Sequence, residues 1–154
     1  MMFRFALAVL LAGAAATAAS ARDIYMVDFN EHSDGSYVVF VDKDTVVKST
    51  PTNARMWSHI GTLENGSVNI ETSFIQYDCS EKSYRFLQSG IYDRVGRFIK
   101  SAPPTPKQFI APNTISEILW YVACSGSVPA ASFRLGDKSV YEGAGQALNA
   151  ITNR

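Results

Sequence analysis

Apolar and polar residues alternate with a period of two through much of the chain from residue 24 to residue 101, and the spacing becomes helical after Pro112. Ile24-Tyr25-Met26-Val27-Asp28-Phe29 and Tyr37-Val38-Val39-Phe40-Val41 predict two strands. The polar cluster Asn30 to Ser36, containing Asp34-Gly35, separates them as a turn, so the pair is a candidate hairpin. Ala54 to Leu63 predicts a third strand, with Met56, Ser58, Ile60 and Thr62 on one face and Trp57, His59, Gly61 and Leu63 on the other. Asn65-Gly66 follows, the strongest two-residue hairpin signal in the chain. The fourth strand, Ser67 to about Asp78, sets Val68, Ile70 and Thr72 against Asn69, Glu71 and Ser73, then turns continuously apolar at Phe74-Ile75. Tyr84 to Tyr92 gives a fifth, and the turn Asp93-Arg94-Val95-Gly96 leads into a short sixth, Arg97 to Ser101. Consecutive strands joined by hairpin turns indicate an antiparallel meander.

Pro103-Pro104-Thr105-Pro106 cannot pair in a sheet and is read as a surface connection in preference to a proline-rich recognition ligand. Ile115 to Cys124 is read as a helix, with Thr114 and Glu117 at capping-box spacing. Its stripe would be Ile115, Ile118, Leu119 and Val122, which puts Cys124 on the far side of a 100° wheel. An end near Ala123 would free Cys124 to turn towards the sheet. Trp120 and Tyr121 also leave the stripe and call for a cover, for which the tail is the candidate. In that tail, Ser139 and Glu142 have capping-box spacing before Val140, Ala144, Ala147, Leu148 and Ile151, though Gly143 and Gly145 weaken the helix.

The first 21 residues change the picture. Arg4 precedes an uncharged run from Phe5 to Ala12 and the small-residue site Ala19-Ser20-Ala21, the three regions of a signal peptide with cleavage expected after Ala21. The run is about half the roughly 20 residues of a spanning helix. Leu11-Ala12-Gly13 is followed by Ala14, so the cysteine that a lipid anchor requires is missing there. The 133 residues from Arg22 onward carry 13 basic and 14 acidic side chains, which argues against a nucleic-acid partner. Both cysteines, Cys79 and Cys124, lie in this part, and an even count in an exported chain points to a disulfide. A metal or catalytic thiol site is the sharper alternative, but neither His32 nor His59 stands at ligand-like spacing to a cysteine.

Asp42 with Asp44, and Asp78 with Glu81, could serve acid-base chemistry or calcium, but the alternating ligand loop around a glycine is lacking and turn or strand-end solvation is the favoured reading. His32 is placed in a turn and His59 on an exposed or edge position. No Gly-x-Ser-x-Gly, phosphate-binding glycine loop or His-Glu-x-x-His occurs, so no enzyme and no cofactor is expected. Trp57, Phe74, Tyr77, Tyr84, Phe86 and Tyr92 lie on predicted strands; core packing is the favoured role, with surplus aromatics available to a protein partner.

Between Ile24 and Ser125 the chain holds, in order, Tyr37 to Val41 with Asp42 and Asp44-Thr45-Val46; Met56-Trp57; Tyr77-Asp78-Cys79 before Tyr84-Arg85; Tyr92-Asp93 with Gly96; and Pro112-Asn113-Thr114-Ile115-Ser116-Glu117 leading to Val122-Ala123-Cys124. In these features it resembles the surface-adhesin protein E family. The resemblance implies an α+β fold, an antiparallel sheet of about six strands with a late helix tethered to its concave side by Cys79 and Cys124, and a further helix at the C-terminus comes from the tail pattern. It also implies binding rather than catalysis, with host extracellular-matrix proteins as the partner class. The expected organisation is a signal peptide over 1–21, an adhesin-like domain over 22–126 and an extension over 127–154. The expected product is an exported envelope protein without lipid anchor or membrane span, in the periplasm or secreted; the alternative is a periplasmic accessory module without a host ligand. Ligand-binding residues and oligomeric state are not assigned by the sequence.

Overall fold

The computed structural model describes residues 22–32 and 35–152, so the expected leader, Ala14 and Asp34 lie outside the described residues, as does the side chain of Ile151. Among the described residues nine strands form one antiparallel sheet: β1 (Ile24–His32), β2 (Gly35–Asp42), β3 (Val47–Thr50), β4 (Asn53–Glu64), β5 (Ser67–Asp78), β6 (Ser83–Asp93), β7 (Phe98–Ala102), β8 (Gln108–Phe109) and β9 (Phe133–Arg134). Two helices, α1 (Ile115–Ser125) and α2 (Val140–Thr152), complete the fold. The strand order is β7-β6-β5-β4-β2-β1-β9, with β3 beside β4 and β8 beside the start of β6.

The predicted meander is present, and the α+β fold expected from the sequence holds. β3, β8 and β9 add to the six expected strands; they are only four, two and two residues long, too short to show a period. The turn expected over Asn30 to Ser36 is tighter, because Asn30 pairs with Tyr37, Glu31 with Ser36 and His32 with Gly35. At Asn65-Gly66 both residues have positive φ, 50° and 75°, as a two-residue turn between twisted strands requires.

The alternation of side chains sends successive residues of each strand to opposite faces, and each face carries one helix. On one face Val39, Val41, Ala54, Met56, Ile75 and Tyr77 pack against Leu119, Val122 and Ala123 of α1. On the other, Ile24, Val38, Phe40 and Ile70 pack against Val140, Ala144 and Leu148 of α2. The run Val38 to Val41 of β2 is thus buried on both sides, which is why it reads as continuously apolar. Each such side chain contributes about 1.5–3 kcal/mol by leaving water.

Both capping boxes form. Thr114 Oγ1 accepts the Glu117 N–H at 3.4 Å, while Glu117 Oε2 accepts the Asn113 N–H at 2.8 Å, one residue earlier than the standard reciprocal bond. In α2, Ser139 Oγ accepts the Glu142 N–H at 3.3 Å and Glu142 Oε2 accepts the Ser139 N–H at 2.9 Å. Gly143 and Gly145 do not stop this helix. Gly143 lets α2 approach Leu135, since a Cβ there would lie 2.2 Å from Leu135 Cδ2, and Gly61 on β4 lets Ala144 come close to the sheet, 3.0 Å from where a Cβ would stand.

α1 does not end near Ala123; it runs to Ser125 and closes at Gly126, whose φ of 77° makes the left-handed cap. The conflict over Cys124 is resolved by rotation instead. The buried arc is centred near Leu119 and Ala123 and reaches round to Trp120 and Cys124, leaving Ile118 outside the core cluster. Nor does the tail cover Trp120 and Tyr121, because α2 lies on the opposite face of the sheet. Trp120 Nε1–H donates to the Asp78 carbonyl at 3.3 Å and its ring lies under Lys82 Nζ at 4.9 Å, whereas Tyr121 is exposed.

Candidate binding surface

Cys79, one residue past β5, and Cys124, in the last turn of α1, form a disulfide with Cα atoms 5.7 Å apart. The sheet end and helix end are thereby held together beside the Trp120 to Asp78 hydrogen bond. Between α1 and the sheet is a cleft of about 190 Å³ walled by Ile60, Ile75, Tyr84, Phe86, Ile115 and Leu119, with the hydroxyls of Ser58, Ser73 and Ser116 among them. Ser73 Oγ donates to Glu71 Oε1 at 3.0 Å, which leaves Ser89 Oγ to donate to Ser73 at 2.8 Å. The serine pair thus ties β5 to β6.

The carboxylates singled out in the sequence are not brought together as a site. Asp78 accepts the N–H groups of Ser80 and Glu81, both at 3.0 Å, and these bonds hold its carboxyl below the usual range. This is the turn role favoured from the sequence. Glu81 pairs with Lys107. Asp44 accepts the Asp23 N–H at 2.9 Å, while Asp42 is 5% exposed and burial raises its pKa. Among the described residues no three histidine, cysteine, aspartate or glutamate side chains converge to hold a metal ion.

His59 overturns the expectation of an exposed or edge position. It sits in β4, interior to the sheet between β2 and β5, and is 9% exposed. Its Nδ1 is 3.0 Å from Thr72 Oγ1, its Nε2 is buried with no hydrogen-bond partner among the described residues, and burial lowers its pKa to about 4. The missed signal is its place on the same face as Gly61 and Leu63, a face the tail helix covers.

The aromatics divide by face. Tyr77 is fully buried, with Tyr84 and Phe86 packed beside it towards α1. Across the sheet, Trp57 stacks on Phe74 with ring centroids 5.1 Å apart, and Tyr92 touches both Phe98 and Tyr141 at 5.7 and 5.9 Å. All six are at least half-buried, so the packing role favoured from the sequence holds for them and none supplies a fully exposed platform.

The exposed apolar surface lies elsewhere. Of the eight large hydrophobic residues exposed among the described residues, Val95, Phe98 and Ile99 fall within five positions, at 65%, 60% and 52% exposure. They occupy the hairpin from β6 to β7, and β7 is the terminal strand of the sheet with all five residues exposed. Asp93 is spent on the turn itself, accepting the N–H groups of Val95 and Arg97 and pairing with the Arg97 guanidinium at 2.7 Å. Arg94 and Lys100 are exposed and have no ion-pair partner among the described residues. The proline-rich segment after β7 is a surface connection as expected, pinned to β6 by the Thr105 N–H on the Phe86 carbonyl and the Phe86 N–H on Thr105 Oγ1, both at 3.0 Å. The sequence predicts a turn and a short strand here; the signal of a surface is the adjacent pair Phe98-Ile99 between Arg97 and Lys100.

Residues 27–125 match the family model described as surface-adhesin protein E, from within β1 to the last residue of α1 and including both cysteines. β9 and α2 lie beyond the match. No curated protein and no solved structure matches the chain. The matched span holds the meander, the disulfide and the hairpin edge, and the chain belongs to the surface-adhesin protein E family.

Proposed function

We propose that this chain is an exported envelope protein that works by binding another protein, and that the hairpin of β6 and β7 is its contact surface. The observation that carries this reading is that Val95, Phe98 and Ile99 are exposed together with Arg94 and Lys100 within seven positions of the terminal hairpin. Aromatic and arginine side chains are enriched at protein contact surfaces. Family membership supports binding over catalysis, and the proposed partner class is matrix proteins of a host.

Export rests on the leader, with cleavage after Ala21 and a mature chain of residues 22–154, of which 22–126 form the adhesin-like domain and 127–154 its extension. Intact mass of the product from the native host should begin at Arg22 with no acyl increment; a mass retaining residues 1–21 would remove this part of the reading.

Binding is tested on immobilised laminin and vitronectin with the wild type and with Phe98→Glu and Ile99→Glu. Capture lost at least tenfold in both variants, with unchanged thermal unfolding, is the expected result. Equal capture by all three proteins would dismiss the hairpin as the surface. Absence of capture, together with resistance to protease added to intact cells, would favour the periplasmic accessory role.

A further inference from the structure

We infer that β7 recognises its partner by strand addition, and that the incoming segment is extended and alternates acidic with apolar residues. This deepens the reading of the hairpin as a contact surface and rests on it. A terminal strand offers a row of unpaired N–H and C=O groups, and proteins ordinarily blunt such an edge with short strands, lysines, bulges, prolines or a cover; β7 is short and carries Lys100, which turns away basic strands but not acidic ones. Here β7 is paired on one side only, through Ser89 with Ala102, Gly90 with Ser101, Ile91 with Lys100 and Tyr92 with Phe98, a register shift that passes over Ile99. Among the described residues nothing pairs with its outer side. The prolines begin only after it, at Pro103.

Charge selects the occupant. Of the four basic residues from Asp93 to Lys107, Arg97 pairs with Asp93 and Lys107 with Glu81, which leaves Arg94 and Lys100 without an ion-pair partner among the described residues. A second copy pairing antiparallel about the middle of β7 would set Lys100 against Lys100, and like charges directly opposite destabilise a strand pair. A glutamate or aspartate opposite Lys100, with another near Arg94, reverses that sign. An apolar residue at the adjoining position would meet Ile99, which is 52% exposed.

The probe is a synthetic eight-residue peptide alternating glutamate and valine, compared with the same peptide carrying lysine for glutamate and with one carrying proline at the valine positions. Amide exchange of the full mature chain is followed residue by residue. The glutamate peptide is expected to slow exchange at Phe98–Ala102 severalfold, the other two to leave it unchanged, and Lys100→Glu to transfer the effect to the lysine peptide. Slowed exchange at β1, at no strand, or equally with all three peptides would overturn the inference, as would protection of β7 without peptide in a sample that sediments as a dimer. If Phe98→Glu abolishes laminin capture while no peptide protects β7, strand addition fails and the contact surface stands. If the hairpin variants leave capture intact, the contact surface itself falls.

Discussion

His59 and Thr72 face each other across β4 and β5, Nδ1 to Oγ1 at 3.0 Å, under a helix that the family match does not include. The other ring nitrogen is buried with no partner among the described residues, so the protonated ring would bring a charge into this space. Burial is the main cause of its pKa of about 4, and the nearby Arg22 adds to it.

The fold therefore prefers neutral His59. Its contribution is complete above the unfolded value near 6.5, declines as pH falls, and is lost below about 4. At pH 4.5 the loss is about 2.5 kcal/mol relative to pH 7.5. Urea unfolding at the two pH values should show His59→Gln losing less stability on acidification than the wild type by about that amount; parallel losses would disprove the linkage.

Cys124→Ala should lower stability by about 4 kcal/mol, since the bridge closes a loop of 45 residues. Labelling of the denatured, unreduced wild type should find no free thiol. Two reactive thiols would contradict the bridge.

Leu148 is fully buried against the sheet, so Leu148→Ala should cost roughly 2–5 kcal/mol by leaving a cavity. Removal of residues 128–154 should go further and expose Val38, Phe40 and Ile70, giving a protein that binds hydrophobic dyes. Denaturant midpoints equal to the wild type in both would mean that the tail is an appendage.

The strands, their hairpin partners, both helices and the cysteine pair were legible because each leaves a local trace: a period, a turn dipeptide or a cap. What was not legible depends on which face a helix covers. The wheel for α1 was set by its branched aliphatics and ignored Ala123, whose small side chain lets the helix turn Cys124 inward. His59 was read from its own polarity, whereas its burial comes from a helix some eighty residues later in the chain. The hairpin edge was legible as a strand but not as a surface, because strand order alone decides that nothing lies outside β7.

The bridge between Cys79 and Cys124 also has a mechanical side. A binding protein held at one point and pulled at another transmits tension along its chain, and the 45-residue separation between the two cysteines is short-circuited by the bond. Roughly 150 Å of extensible chain, at about 3.4 Å per residue, stays out of the force path until the bond is reduced. The hairpin edge and α1 as far as Cys124 lie inside that loop, so a pull on the two ends of the domain would not stretch the contact surface directly.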